Sequence, residues 1–104
     1  MVTKHIKYLL VEGYPDIKLL GRWYRQMKIL AVGDLVGECG LNILKQTLPK
    51  IRKEKNIDFV IVNAENVASG MGITAKDFNE LLKLKVDVIT MGNHTWAKKD
   101  IFTF

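Results

Sequence analysis

Five residues of this 104-residue chain could do chemistry together: Asp34, Glu65, Asn66, Asn93 and His94. They follow three short apolar runs, with Gly33-Asp34 after Ile29 to Val32, Asn63-Ala64-Glu65-Asn66 after Phe59 to Val62, and Gly92-Asn93-His94 after Val86 to Met91. If those runs are strands of an open α/β sheet, all five residues lie at their carboxyl ends, where such sheets bind ligands. Two carboxylates, amides and an imidazole at one edge form a donor set suited to Mn, Fe or Zn, and a carboxylate such as Glu65 can bridge two ions.

Each residue also has an ordinary reading. Asp34 after a glycine can cap a turn or a helix, Glu65 can be a solvated loop acid, and Asn66 a turn former. Gly92-Asn93 is a common turn pair, and a lone His94 is more often hydrogen-bonded at the surface than a ligand. Their joint occurrence at three successive strand ends is what favours a site. Other motifs carry less. Gly33, Gly37 and Gly40 match neither the dinucleotide fingerprint nor a Walker loop, and are expected to make a tight strand-to-helix turn with incidental anion affinity. Ser69, the one serine, lacks a nucleophile-elbow context. Cys39 is expected to be a small buried or half-buried residue, and Trp96 a packing anchor under its loop rather than the wall of a base-stacking pocket.

The elements that must position these residues follow from hydrophobic pattern. Three nearly continuous apolar runs read as strands buried on both faces of a parallel sheet. Leu41, Leu44, Leu48 and Ile51 mark a helix between the first two, with Pro49 expected to kink it or divide it. A second helix starts at Thr74, with Asp77 completing a capping box and Phe78, Leu81 and Leu82 on one face. Strand, helix, strand, helix, strand is the rhythm of an α/β fold. Right-handed crossovers in simple sequential order put both helices on one face and leave the other bare, so the layer reads as incomplete.

Composition sets outer limits. With 48% hydrophobic and 26% charged residues the chain has the make-up of a globular domain, and no apolar run approaches the roughly eighteen residues of a membrane span. The single cysteine excludes an internal disulfide, and the protein is read as cytoplasmic with no membrane partner. The net charge of +5 is unevenly spread: residues 1–26 carry five basic against two acidic groups, the remaining 78 residues eleven against nine. A basic nucleic-acid face is therefore not indicated. Residues 1–26 lack a signal-peptide core. They read as a leader of doubtful status, a mis-assigned start ahead of Met27, with an appendage that packs on the domain as the alternative.

The phrases Gly33-Asp34-Leu35-Val36-Gly37, Val62-Asn63-Ala64-Glu65-Asn66, Gly72-Ile73-Thr74 and Ile89-Thr90-Met91-Gly92-Asn93-His94-Thr95-Trp96 resemble the YmdB-like family of bacterial metallophosphoesterases. The resemblance runs from Met27 to Phe104. It implies that residues 27–104 are the N-terminal part of a calcineurin-like metallophosphoesterase domain, a βαβαβ front part. It further implies a phosphodiesterase acting on 2′,3′-cyclic nucleotides with two divalent transition metal ions, Fe or Mn, with Zn as the alternative. By motif, Asp34 and Asn66 resemble ligands of one metal, Glu65 the bridging carboxylate, Asn93 a ligand of the second metal and His94 the proton donor. Leu41 and Ala97 depart from the family's usual arginine and aspartate. The family's remaining ligands are histidines of a second half, and no histidine follows His94 here. The chain is accordingly expected to be a fragment, inactive alone and prone to homo-oligomerise through exposed sheet. The alternative is a non-catalytic nucleotide-binding α/β module.

Overall fold

Parallel pairing of the three apolar runs fixes where their carboxyl ends go. In the structure, a computed structural model that describes residues 7–11, 17–24 and 27–104, β1 is Lys7–Val11, β2 Ile17–Leu19, β3 Arg22–Tyr24, β4 Ile29–Gly33, β5 Phe59–Asn63 and β6 Val88–Thr90. The main sheet has the order β1-β4-β5-β6. Strands β4, β5 and β6 are parallel, with Ile29 opposite Phe59 and Val62 opposite Ile89, so the α/β expectation holds. The sheet gains one strand that the apolar pattern did not supply: β1 pairs antiparallel with β4, Lys7 opposite Gly33 and Val11 opposite Ile29. The described part of residues 1–26 thus lies on the sheet edge and in a separate hairpin of β2 and β3, whose two turn residues, Leu20 and Gly21, both have positive φ.

The first crossover is α1, Gly37–Lys55, and the second α2, Ala75–Lys83. Leu41, Leu44 and Leu48 of α1 and Leu81 of α2 are buried against Leu30, Val32, Val60 and Val62 of the sheet. Each such side chain contributes roughly 1.5–3 kcal/mol by leaving water. The alternate positions of β4 and β5 are only half-buried, and Val88 and Thr90 of β6 are exposed. Burial on both faces, expected from the continuous apolar runs, is therefore not what these strands show. Among the described residues one face carries the core, and the other is half-buried on β4 and β5 and exposed on β6.

Pro49 does not divide the first helix into two elements: α1 runs unbroken past it. The ring is exposed, and Leu44 and Leu48 hold the same helix in the core. Proline's lost hydrogen bond therefore falls on the solvent side, where water can satisfy the carbonyl left over. Asn56, in the left-handed conformation, ends the helix by donating its N–H to the Arg52 and Lys53 carbonyls. The capping box of α2 forms as the sequence indicates. Thr74 Oγ1 accepts from the Asp77 N–H at 3.2 Å, and Asp77 Oδ2 accepts from the Thr74 N–H at 3.1 Å. Among the described residues no helix is long and apolar enough to cross a membrane.

Candidate functional site

Backbone pairing continues past the strand ends and draws their loops together. The Leu35 N–H donates to the Asn63 carbonyl (3.1 Å), the Gly37 N–H to the Asn66 carbonyl (3.0 Å), and the Ala64 N–H to the Thr90 carbonyl (3.0 Å). Gly37 turns the chain into α1 with φ of 65°, a conformation glycine adopts without cost. Asp34 just before it has φ of 53° and is exposed, so it sits at the mouth of the turn rather than capping α1, whose N-cap is Val36. On the last loop, Thr95 donates both its N–H and its hydroxyl to the Gly92 carbonyl, closing a turn around Asn93 and His94.

Asn66 is the hub of this edge. Its Nδ2 donates to Asp34 Oδ1 at 2.7 Å, and its Oδ1 lies 2.5 Å from His94 Nδ1. Because an amide oxygen can only accept, the proton of that second bond belongs to Nδ1. One amide thereby links the ends of β4, β5 and β6. Glu65 lies alongside: its Oε2 accepts from the His94 backbone N–H at 3.3 Å and stands 4.0 Å from His94 Nδ1. Asn93 is on the same loop with an exposed side chain that has no hydrogen-bond partner among the described residues. All five sequence-selected residues thus fall at one edge, and hydrogen bonds join four of them.

The donors fit an oxygen-ligated divalent cation in kind. Asp34 and Glu65 supply anionic oxygen, and Asn93 an uncommitted amide. Asn66 is the exception in orientation, since it presents nitrogen to Asp34 and must turn its amide over to present oxygen. Among the described residues no group of three or more His, Cys, Asp or Glu is assembled. A cavity of about 300 Å³ between α1, α2 and the loop after β5 is lined by Lys45, Asp77, Glu80 and Lys98 and includes none of the five. The chemistry gathers on the open sheet edge instead.

Two side chains stand elsewhere than their types suggest. Cys39 is exposed, in the first turn of α1, because the buried face of that helix is taken by Gly40, Leu41 and Leu44. Trp96 is not a packing anchor: it is 69% exposed and stacks on the equally open Phe102, with ring centroids 5.5 Å apart. Thr95, which shapes the Asn93-His94 turn, escaped notice, although a threonine three residues after a turn-opening carbonyl is its local signal.

Residues 30–104 match the sequence profile of a family described as YmdB-like protein. The chain is 46% identical over 78 residues to a protein of Bacillus subtilis named 2′,3′-cyclic-nucleotide 2′-phosphodiesterase, a match covering 75% of this chain and 30% of that protein. It is 42% identical over 73 residues to a putative phosphatase/phosphodiesterase of Mycoplasma pneumoniae, covering 70% of this chain and 26% of that one. Among solved structures, a hypothetical protein of Thermus thermophilus matches with a TM-score of 0.69 at 36% identity, over 74% of this chain and 30% of the other. A structure titled as a novel phosphatase from Mycoplasma pneumoniae matches with a TM-score of 0.68 at 42% identity, over 70% and 26% of the two chains. The chain therefore spans less than a third of the length of these relatives.

Proposed function

The chain belongs to the YmdB-like family, and on that premise we propose that its strand-end cluster forms part of a binuclear metal-dependent phosphodiesterase centre that hydrolyses 2′,3′-cyclic nucleotides. The observation that carries the reading is the Asp34–Asn66–His94 line of hydrogen bonds with Glu65 beside it, gathered at the carboxyl ends of three parallel strands. The name of the Bacillus subtilis relative supports the substrate class.

In this reading Asp34 and Asn66 would hold one cation, Asn93 would hold the second, and Glu65 would be the carboxylate shared between them. The cations, manganese or iron with zinc as the alternative, would supply positive charge at the phosphoryl oxygens and a nucleophile at neutral pH. His94 gives a proton to the departing ribose oxygen. Its hydrogen bond at Nδ1 fixes the ring and leaves Nε2 as the nitrogen that exchanges the proton. Asn66, accepting from Nδ1, orients the acid with its amide as it stands; turned over to give its oxygen to a cation, the amide would instead donate Nδ2 to His94 Nδ1 and still hold the ring. Glu65, which accepts the His94 N–H, couples the position of the acid to that of the bridging group.

Four donors without a second imidazole leave two ions under-coordinated, so the 104-residue chain by itself should bind Mn²⁺ weakly and turn over negligibly. The decisive experiment places the matched 78 residues of this chain in the corresponding stretch of the Bacillus subtilis relative. The chimera should hydrolyse a 2′,3′-cyclic nucleotide only with added Mn²⁺ or Fe²⁺, and Glu65→Ala should abolish that activity. A chimera that binds the nucleotide without hydrolysing it, indifferent to Glu65, would establish the non-catalytic nucleotide-binding reading instead.

A further inference from the structure

Gly92 presents a puzzle that backbone conformation does not solve. The glycines at 21, 37, 70 and 72 have positive φ, where a side chain is strained, but Gly92 lies outside that region, so no left-handed φ calls for glycine there. What it lacks is room. A Cβ built on Gly92 would lie 2.6 Å from both carboxylate oxygens of Glu65 and 2.8 Å from Glu65 Cδ, its three nearest neighbours. The same carboxylate accepts the N–H of His94, two residues on. Glu65 therefore rests flat against the bare backbone of Gly92 and is pinned there by the loop that carries Asn93 and His94.

We propose that Gly92 is a positioning residue whose missing side chain forms the seat of the Glu65 carboxylate. The geometry separates this role from a structural one. The group that a methyl at position 92 would strike is the far end of a flexible side chain on an edge where Glu65 is only 19% exposed but not enclosed by core. The carboxylate can swing away at little cost to the fold. Its displacement breaks the bond to the His94 N–H and moves a side chain that, with Asn66, reaches between the β5 and β6 loops. A methyl group here would thus act on the position of two functional groups without touching either main-chain path.

The proposal rests on the metal-centre reading only for its Mn²⁺ readout, so the two can fail separately. Gly92→Ala, Glu65→Ala and the double variant of the 104-residue chain would be compared by thermal melting, by amide hydrogen exchange at His94, and by Mn²⁺ titration. Gly92→Ala should melt close to the parent, while the His94 amide exchanges about tenfold faster or more once its acceptor has moved. Where the parent binds Mn²⁺, affinity should fall by about tenfold or more, as when a supporting partner of a ligand is lost. In the Glu65→Ala background the second substitution should change none of the three, because its target is gone. Equal effects in both backgrounds, or a His94 amide that exchanges as in the parent, would overturn the seat. If Gly92→Ala alone fails to fold, the clash predicts that the double variant melts normally, and a double variant that also fails would overturn it. Mn²⁺ affinity indifferent to Glu65→Ala, with the exchange result as expected, would leave the seat standing and remove Glu65 from the metal centre.

Discussion

At residue scale, Asn93 and His94 are sequence neighbours with different surroundings. The Asn93 amide is exposed and uncommitted, whereas the His94 ring is tied to Asn66 and its N–H to Glu65. A ligand and a proton donor on adjacent residues should separate in kinetics. In the chimera, Asn93→Ala should lower metal occupancy, with activity partly recovered at high Mn²⁺. His94→Ala should leave occupancy near normal and slow turnover by about two to four decades, typical of a lost general acid. With a nitrophenyl ester, whose leaving group needs no proton, the loss should shrink. Metal analysis together with the two substrates checks this. A His94→Ala protein stripped of metal, or equally slow on both substrates, would make His94 a ligand or a structural residue.

At the scale of elements, α1 and α2 meet through Glu80, whose carboxylate lies between Lys45 of α1 and Lys83 of its own helix. Hydrogen bonds from Lys45 and then Lys83 lower its pKa from the ordinary 4.5 to about 2. A depressed carboxylate pKa stabilises the fold above the unfolded value, and that contribution disappears as pH falls from about 4.5 toward about 2. The pair is open to water, so the effect should be modest and should weaken further in high salt. Melting curves at pH 5 and pH 3 should show a larger acid-induced drop for the parent than for Glu80→Gln, and equal drops would dismiss the linkage. The ease with which elements could be read from sequence tracks how local their causes are. The box at Thr74 and Asp77 lies within one helical turn, and the three apolar runs announce parallel strands by themselves. The pairing of β1 with β4 joins residues about twenty apart, and the apolar run Tyr8 to Val11 does not by itself say which strand it will pair with. Pro49 misled because propensity says where a helix would rather stop, while buried Leu44 and Leu48 decide that it continues. The gathering of the five residues at one edge was legible from strand-end position alone, but the hub position of Asn66 was not, because it depends on where an amide points across two neighbouring loops.

At the scale of the whole molecule, the core occupies one side of the main sheet, and the other side keeps Ile29, Ala31, Phe59 and Ile61 half-buried with Val88 and Thr90 exposed. Among the described residues, β6 pairs only with β5, so its outer N–H and C=O groups are open to another strand. An apolar surface beside an unpaired edge is the combination that recruits further chains. Val88 is 39% exposed, so burying what remains in such a contact is worth on the order of 1 kcal/mol, enough to shift a weak association by about fivefold. The chain should therefore associate as its concentration rises, with a sedimentation coefficient that climbs rather than staying fixed. Val88→Lys puts a charge on that edge strand while leaving the buried side of the sheet untouched, and should return the sample toward monomer without lowering its melting temperature. A parent chain that stays monomeric across the series, or a Val88→Lys protein that associates as before, would show that this edge is not where copies meet.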